Sequence, residues 1–398
     1  MIESSLKYLS ALRSFVQRTV PEPVRAEEWD SLISLAHINS TVGILCSVYM
    51  NHPDRIPAEL RPPLRRLCHQ EIALYAQRSD LMRQLAAEFD RNGIDFILFK
   101  GFVVRDYYPI PEFRTFSDVD FVIRRADRER SDVLMKSLGY EPRDTWEPVY
   151  SYLRESEYYE IHTDVMEIDV SDKADYVNYY SHIWEHVRPA QVVGLNHALE
   201  FTPEFHFLYL LTHIAKHISA SGAGIRMYLD LAFFIRHFGD SIDWNWIRGE
   251  LEKLCLTDFA NVALSAVERW FGVESPIVPE PVAEEVMEDF LEFTLSGGVY
   301  GYVGRDRGTV FLKQQNRNEE EVSRFKTLMY HAFPPAKVLT NKYTYLEKQR
   351  WLLPVAWAQR LIDSRKEWGR FAGHTKDILT ADEEKVLKLK RIYKEIGL

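Results

Sequence analysis

The sequence has little cysteine and no long apolar run. Its three cysteines, Cys46, Cys68 and Cys255, are odd in number and far apart, so they indicate neither a disulfide framework nor a zinc site. No apolar run approaches the roughly 18 residues that a membrane span needs, and the N-terminus lacks the charged-then-apolar pattern of a signal peptide. We therefore expect a soluble cytoplasmic protein that does not bind membranes.

Basic residues are outnumbered by acidic ones. The 398 residues include 49 Lys and Arg against 59 Asp and Glu, which gives a formal net charge of −10. An acidic surface repels phosphate backbones, so general DNA binding is not expected. The 46% of hydrophobic residues is typical of a globular chain, and the length predicts more than one packed unit.

The pattern of apolar residues divides the chain into three segments. Residues 1–92 have helical periodicity and form a predicted N-terminal helical region. Residues 93–200 contain short β-rich runs and form a predicted α/β catalytic domain, and residues 201–398 form a C-terminal helical domain. The fold class is therefore α+β, with a small mixed-sheet domain flanked by helical regions. The predicted strands are 94–99 and 118–123, with two further candidates in 150–162 and 165–170.

The most informative stretch leads into the second predicted strand. It reads Arg114-Thr115-Phe116-Ser117-Asp118-Val119-Asp120. Successive side chains of a strand point to opposite faces, so Asp118 and Asp120 share one face. Two such carboxylates repel each other unless a cation lies between them, and a hard ion such as Mg²⁺ prefers this oxygen pair. An ordinary turn or a solvated strand edge explains the same pattern without an ion.

A two-metal site needs a further carboxylate. Two ions about 4 Å apart require at least one ligand beyond the aspartate pair. The predicted strand 165–170 alternates acidic and apolar residues, so Glu167 and Asp169 share a face. This strand is a candidate source of the third carboxylate.

Several motifs in order resemble an uncharacterised bacterial nucleotidyltransferase family with the DNA polymerase beta-like fold. The resemblance spans roughly residues 30 to 360. Its most specific parts are Leu98-Phe99-Lys100-Gly101 and the stretch from Arg114 to Asp120. The supporting parts are Tyr107-Tyr108-Pro109, His213-Ile214-Ala215-Lys216-His217, a helix with Arg226 and Asp230, and Gly297-Gly298-Val299-Tyr300-Gly301.

The resemblance implies an enzyme that uses Mg²⁺ or Mn²⁺. It implies transfer of a nucleoside monophosphate from an NTP, which we expect to be ATP, to an acceptor hydroxyl with release of pyrophosphate. Asp118 and Asp120 would hold the metal ions against the triphosphate, and a third carboxylate would orient or deprotonate the acceptor hydroxyl. The nucleotide would be bound by Lys100, Gly101, Arg114, Ser117, Lys216 and Arg226.

The third carboxylate departs from the family pattern, which usually reads acid-hydrophobic-His on the third strand. Asp169 has no histidine two residues later, whereas Glu160-Ile161-His162 fits the pattern but lies nearer Asp120 in the chain. We predict Asp169 as the third catalytic and metal-binding residue, with Glu160 and Glu167 as the alternatives.

Two histidines and one aspartate on the later helices allow several interpretations. His213 and His217 share a helix face, which fits hydrogen bonding at a helix interface, substrate contact, or zinc binding in a metal hydrolase. Asp230 lies in an apolar run and needs a partner if it is buried, and Arg226, one turn earlier, is the near candidate.

The acceptor, the base preference and the oligomeric state do not follow from the sequence. Because the chain is acidic, we expect a small molecule or a protein as acceptor in preference to RNA. The alternative to an enzyme is a catalytically silent nucleotide-binding or regulatory protein on the same fold, because the third carboxylate does not match the family pattern.

Overall fold

A computed structural model describes most of the chain. The described residues are 3–115, 119–146, 148–155, 157–191, 195–277, 280–299, 312, 323–340, 343–363 and 368–398. Ser117 and Asp118 therefore lie outside the described residues. Among the helices of the described ranges, none combines the length and the apolar character needed to cross a membrane.

In the described part of the chain, the strands form one mixed seven-stranded sheet. Its order is β3-β4-β5-β2-β1-β7-β6. β2 is parallel to β5, β1 is parallel to β7, and the other neighbours are antiparallel. This sheet, with helices before and after it, confirms the α+β class. The strands are β1 (Phe96–Leu98), β2 (Val119–Ile123), β3 (Glu141–Trp146), β4 (Val149–Arg154), β5 (Glu157–His162), β6 (Val187–Pro189) and β7 (Ala198–Phe201).

Helices surround the sheet. Those before and within the sheet region are α1 (Glu3–Gln17), α2 (Ala26–Ile38), α3 (Val42–Asn51), α4 (Arg61–Arg91), α5 (Gly101–Val104), α6 (Arg128–Ser137) and α7 (Tyr176–Tyr180). Those after it are α8 (Pro203–Ala220), α9 (Ile225–Phe238), α10 (Trp244–Lys253), α11 (Thr257–Phe271), α12 (Glu284–Gly297), α13 (Arg324–Ala332), α14 (Ala336–Leu339), α15 (Leu353–Asp363), α16 (Trp368–Thr380) and α17 (Glu383–Glu395).

The sheet separates two hydrophobic cores. Phe121 and Ile123 of β2 lie in a core formed with α4 and α6, whereas Val122 belongs to the larger core of the helical regions. Because strand side chains alternate between faces, Asp120 is on the same face as Val122. The backbone of β2 therefore directs Asp120 towards the later helices.

The helix α4 belongs to both cores. Leu64 and Cys68 in its first half are buried among the N-terminal helices, while Leu85 and Phe89 in its second half cover the sheet. The helix ends at Arg91, and Gly93 follows it with φ +61°, a conformation that glycine adopts without strain. The N-terminal and C-terminal helices meet in one core, so the segments predicted at 1–92 and 201–398 pack together.

The predicted strand at 165–170 is wrong. This segment consists of bends, and its residues 167–169 are exposed. Alternating side chains make a strand only where a neighbouring strand supplies hydrogen-bond partners, and none of the described strands pairs with this segment. By contrast, β3, β6 and β7 were not predicted, because β6 and β7 are short and β3 lacks a clear alternation.

Candidate functional site

A cavity of about 380 Å³ lies between the sheet and the helices α8 and α9. Its wall includes every predicted site residue that the structure describes except Asp169. The predicted site residues that line the cavity are Lys100, Gly101, Arg114, Asp120, Lys216 and Arg226. The structure therefore brings together residues that are more than 120 positions apart in the chain.

Asp120 and Glu160 form the acidic part of the cavity. The parallel pairing of β2 and β5 sets Asp120 directly beside Glu160, and Val122 beside His162. The His162 Nε2 atom lies 2.8 Å from Asp120 Oδ1 and 3.5 Å from Glu160 Oε2. One ligand atom from each of Asp120, Glu160 and His162 lies within 4.8 Å of the others, so the three side chains are close enough to share one ion.

Two neighbours, Lys100 and His162, determine the protonation state of the Asp120 carboxyl. Burial by itself raises the pKa of this carboxyl, but the charge of Lys100 and the hydrogen bond from His162 outweigh burial and lower the pKa below its ordinary value. The Lys100 ammonium lies 3.0 Å from Asp120 Oδ1. Since an ionised carboxylate only accepts hydrogen bonds, His162 donates its Nε2–H to Asp120.

His162 responds to the same contacts in the opposite direction. Burial lowers the pKa of the imidazole, whereas the hydrogen bonds to Asp120 and Glu160 raise it, and the net effect is an increase. The ring packs edge-on against Phe99, with centroids 5.7 Å apart. The imidazole is thus held in one position against the two carboxylates.

Asp169, our predicted third carboxylate, does not line the cavity. It is exposed, and its Oδ1 accepts a hydrogen bond from the Val177 backbone N–H at 3.2 Å. Because residues 165–170 are not a strand, the argument that placed Asp169 on an ordered face fails. The structure sets Glu160 beside Asp120 in its place. The sequence contained the signal for this residue, the acid-hydrophobic-His pattern of Glu160-Ile161-His162, and also the signal for His162, which we did not predict as a site residue.

Glu167 and Lys216 form a second ion pair in the cavity. Their Oε1 and Nζ atoms are 2.5 Å apart. Burial raises the pKa of Glu167, yet Lys216 reverses this and lowers it. Burial also lowers the pKa of Lys216, against the effect of Glu167. Lys216 therefore lies in the cavity as predicted, with an acidic partner that the prediction did not include.

His213 and His217 contact each other through their Nε2 atoms at 3.1 Å. Burial, together with Lys100 and Lys216, lowers the pKa of both rings, that of His217 to about 4. Both are therefore neutral at pH 7, one donating and the other accepting. Among the described residues, no cluster of three candidate metal ligands includes either histidine.

Arg114 and Asp230 form a buried ion pair in the wall of the cavity. The Arg114 Nε and Nη2 atoms donate to the two carboxylate oxygens at 3.1 and 2.6 Å, and the Tyr108 hydroxyl donates to Oδ1 at 2.7 Å. The predicted partner of Asp230 was Arg226, and that prediction is wrong. Arg226 instead donates to the backbone carbonyl of Thr115 at 2.7 Å, as Arg114 Nη1 does at 2.9 Å.

Gly101 gives the Arg114 guanidinium its space. A Cβ atom at Gly101 would overlap the guanidinium, so this position excludes a side chain for a packing reason. The two arginines fix the carbonyl of Thr115, which comes shortly before β2. Arg114 and Arg226 thus hold the backbone at Thr115, and Asp230 holds the Arg114 guanidinium.

Comparisons with known proteins agree with the sequence resemblance. Residues 25–272, more than half of the chain, match the model of a family described as uncharacterised nucleotidyltransferase. Among solved structures, the chain is similar to the antibiotic-resistance factor ANT(2'')-Ia in its solution structure, at 11% identity and a TM-score of 0.34, covering 44% of this chain and 91% of that chain. No curated protein matches the chain.

Proposed function

Because the chain belongs to the uncharacterised nucleotidyltransferase family, we propose that it transfers a nucleoside monophosphate from an NTP to an acceptor hydroxyl and releases pyrophosphate. One observation carries the proposal: an ionised, buried Asp120 lies in register with Glu160 at a cavity that also contains Lys and Arg side chains. Carboxylates that hold a divalent ion and cations that hold phosphates are the parts that this chemistry requires.

The donor atoms fit Mg²⁺ or Mn²⁺. Asp120 is held in its charged form and Glu160 adds a second carboxylate on the neighbouring strand, which are the ligands that hard divalent ions prefer. We propose Asp118 as a further ligand, since it precedes Asp120 by two residues. When bound, the ion withdraws charge from the phosphate oxygens and so favours departure of pyrophosphate.

The side chains of the cavity have separate tasks in the proposed reaction. Lys100, Lys216 and Arg226 bind the phosphates by their charge, with Gly101 and Ser117 beside them. Glu160, whose side chain is 25% exposed, accepts the proton of the acceptor hydroxyl. The hydroxyl oxygen then attacks the α-phosphorus, and the bond from that phosphorus to the bridging oxygen of pyrophosphate breaks.

The acceptor is proposed to be a small molecule or a protein hydroxyl, and the nucleotide to be ATP. The net charge of −10 disfavours long RNA as acceptor. Glu160 also favours an enzyme over a catalytically silent nucleotide-binding protein. That alternative was proposed because Asp169 does not match the family pattern, whereas Glu160 does.

A comparison of three carboxylate variants tests the proposal. Pyrophosphate release from each NTP is measured with Mg²⁺ or Mn²⁺ for the parent, Asp120→Asn, Glu160→Gln and Asp169→Asn, with nucleotide binding measured by calorimetry. We expect Asp120→Asn and Glu160→Gln to lose at least about a hundredfold in rate, since both remove groups at the reacting atoms. Asp172→Asn, an exposed acid outside the cavity, is the matched control.

Three results decide between the assignments. Loss in Glu160→Gln with retention in Asp169→Asn supports the site described above. The opposite pattern would restore Asp169 as the third carboxylate. If the parent neither binds nor turns over any NTP, or does so no better than Asp120→Asn, the proposed function is wrong.

A further inference from the structure

We infer that His162 binds the metal ion directly through Nε2, so that the site selects a first-row transition ion such as Mn²⁺ over Mg²⁺. The inference rests on the proposed function, which supplies the ion. It goes beyond that proposal, because it adds a nitrogen ligand to a site for which only carboxylate ligands were proposed.

The fold directs His162 at the two carboxylates. β5 runs parallel to β2, so Glu160 and His162 lie on the face of the sheet that carries Asp120. His162 and Asp120 are each only 6% exposed, and the edge contact with Phe99 fixes the ring plane. The nitrogen is therefore held near the oxygens before any ion arrives.

The spacing of the three atoms suits one ion. Two ligands at about 2.1 Å from a common ion are about 3.0 Å apart at a right angle and about 3.4 Å apart at a tetrahedral angle. The Nε2 atom lies 2.8 Å from Asp120 Oδ1 and 3.5 Å from Glu160 Oε2. These two distances fit ligands of one ion, and the ligand oxygens of Asp120 and Glu160 lie within 4.8 Å of each other. The other oxygen of Glu160, Oε1, accepts a hydrogen bond from the Tyr158 hydroxyl at 3.2 Å and has a second lone pair for the acceptor hydroxyl.

In the protein without a bound ion, a positively charged side chain already lies beside the Asp120 carboxylate. The Lys100 ammonium lies 3.0 Å from Asp120 Oδ1 and neutralises the buried carboxylate. An ion that binds Asp120 takes over this role, and Lys100 becomes available for the phosphates beside it. The Nε2 atom then loses its proton to solvent, and the ring keeps its proton on Nδ1, because nitrogen coordinates metals through a lone pair.

The nitrogen decides the choice of metal. Mg²⁺ prefers oxygen ligands and parts reluctantly with its water shell, whereas first-row transition ions accept imidazole readily. Mn²⁺ also binds phosphate oxygens, so it suits a site shared by an imidazole, two carboxylates and a triphosphate. A histidine in this position therefore raises the preference for Mn²⁺.

Pulsed electron paramagnetic resonance on the full chain tests the inference. Mn²⁺ is added to the parent, to His162→Gln and to His213→Gln, and the spectra are examined for coupling of the electron spin to ¹⁴N. His162→Gln keeps an N–H donor near the position of Nε2 but removes the imidazole. His213→Gln removes a different imidazole from the same cavity and is the matched control. Displacement of Mn²⁺ by Mg²⁺ gives the selectivity of each protein.

We expect ¹⁴N coupling in the parent and in His213→Gln and none in His162→Gln. The Mn²⁺-over-Mg²⁺ selectivity is expected to fall at least about tenfold in His162→Gln. If the parent binds Mn²⁺ without ¹⁴N coupling, the inference fails and the proposed function stands. If the parent binds neither ion, with or without nucleotide, both fail. Should His162→Gln not fold, absence of ¹⁴N coupling in the parent still overturns the inference, and coupling that persists in His213→Gln supports it.

Discussion

Replacing Asp230 by Asn should cost the protein much of its stability. The carboxylate accepts two hydrogen bonds from Arg114 and one from Tyr108, and the Arg114 and Asp230 side chains are only 7% and 6% exposed. Asn keeps the shape but loses the charge, so the guanidinium remains buried opposite a neutral group. Breaking a buried ion pair in this way costs about 3–5 kcal/mol, a large part of the roughly 5–15 kcal/mol that stabilises a typical domain.

Urea unfolding followed by tryptophan fluorescence and by circular dichroism measures this loss. Asp240→Asn is the matched control, because Asp240 is exposed in the turn that follows α9, and we expect it to change the free energy of unfolding by less than about 0.5 kcal/mol. The double variant Arg114→Met/Asp230→Leu should recover part of the loss, since it leaves no unpaired charge in the interior.

Two outcomes would refute the reasoning. If Asp230→Asn loses less than about 1 kcal/mol, the pair is more hydrated than its burial indicates. If the double variant is as unstable as the single one, the cost arises from shape and packing, and the charge of Arg114 is not its cause.

Two further predictions concern the wall of the cavity. The pKa of Glu167 is lowered by Lys216 against the effect of burial, so the pair stabilises the protein above the ordinary pKa of 4.5 and this contribution is lost as the pH falls through the lowered value. Glu167→Gln should therefore be more destabilising at pH 6 than at pH 3 in urea unfolding, and an equal loss at both values would contradict the argument. Gly101→Ala should lower the free energy of unfolding by about 1–3 kcal/mol because the methyl group meets Arg114. Gly249→Ala, in α10 with open space around it, should be neutral or stabilising, and thermal unfolding that ranks the two alanine variants in the opposite order would exclude the clash.

The sequence predicted those helices and strands whose apolar pattern is visible within one segment of the chain. The helical periodicity of 1–92, which contains the 31-residue helix α4, and the strand β2 were predicted, because apolar periodicity and alternation are visible within each segment. These are cases in which neighbours in the chain carry the information.

The errors arose where distant residues decide the structure. Asp169 was chosen from the alternation of 165–170, but a strand needs a partner, and the pairing of β5 with β2 gave that place to Glu160. The partner of Asp230 was sought one helical turn away, whereas the observed partner, Arg114, is 116 residues distant. Sequence spacing favours interaction partners that are close in the chain, whereas tertiary packing can bring together residues that are far apart in it.

Because α4 packs in both hydrophobic cores, the stability of the sheet depends on the N-terminal helices. Phe89 contacts Phe96 and Phe121 edge-on, with ring centroids 5.9 and 5.4 Å apart, while Leu64 of the same helix is anchored among the N-terminal helices. A fragment that starts at residue 93 would therefore expose these rings to water and favour aggregation. The strand that carries Asp120 therefore depends on a helix whose other end packs among the N-terminal helices, and we expect the sheet and these helices to fold and unfold together.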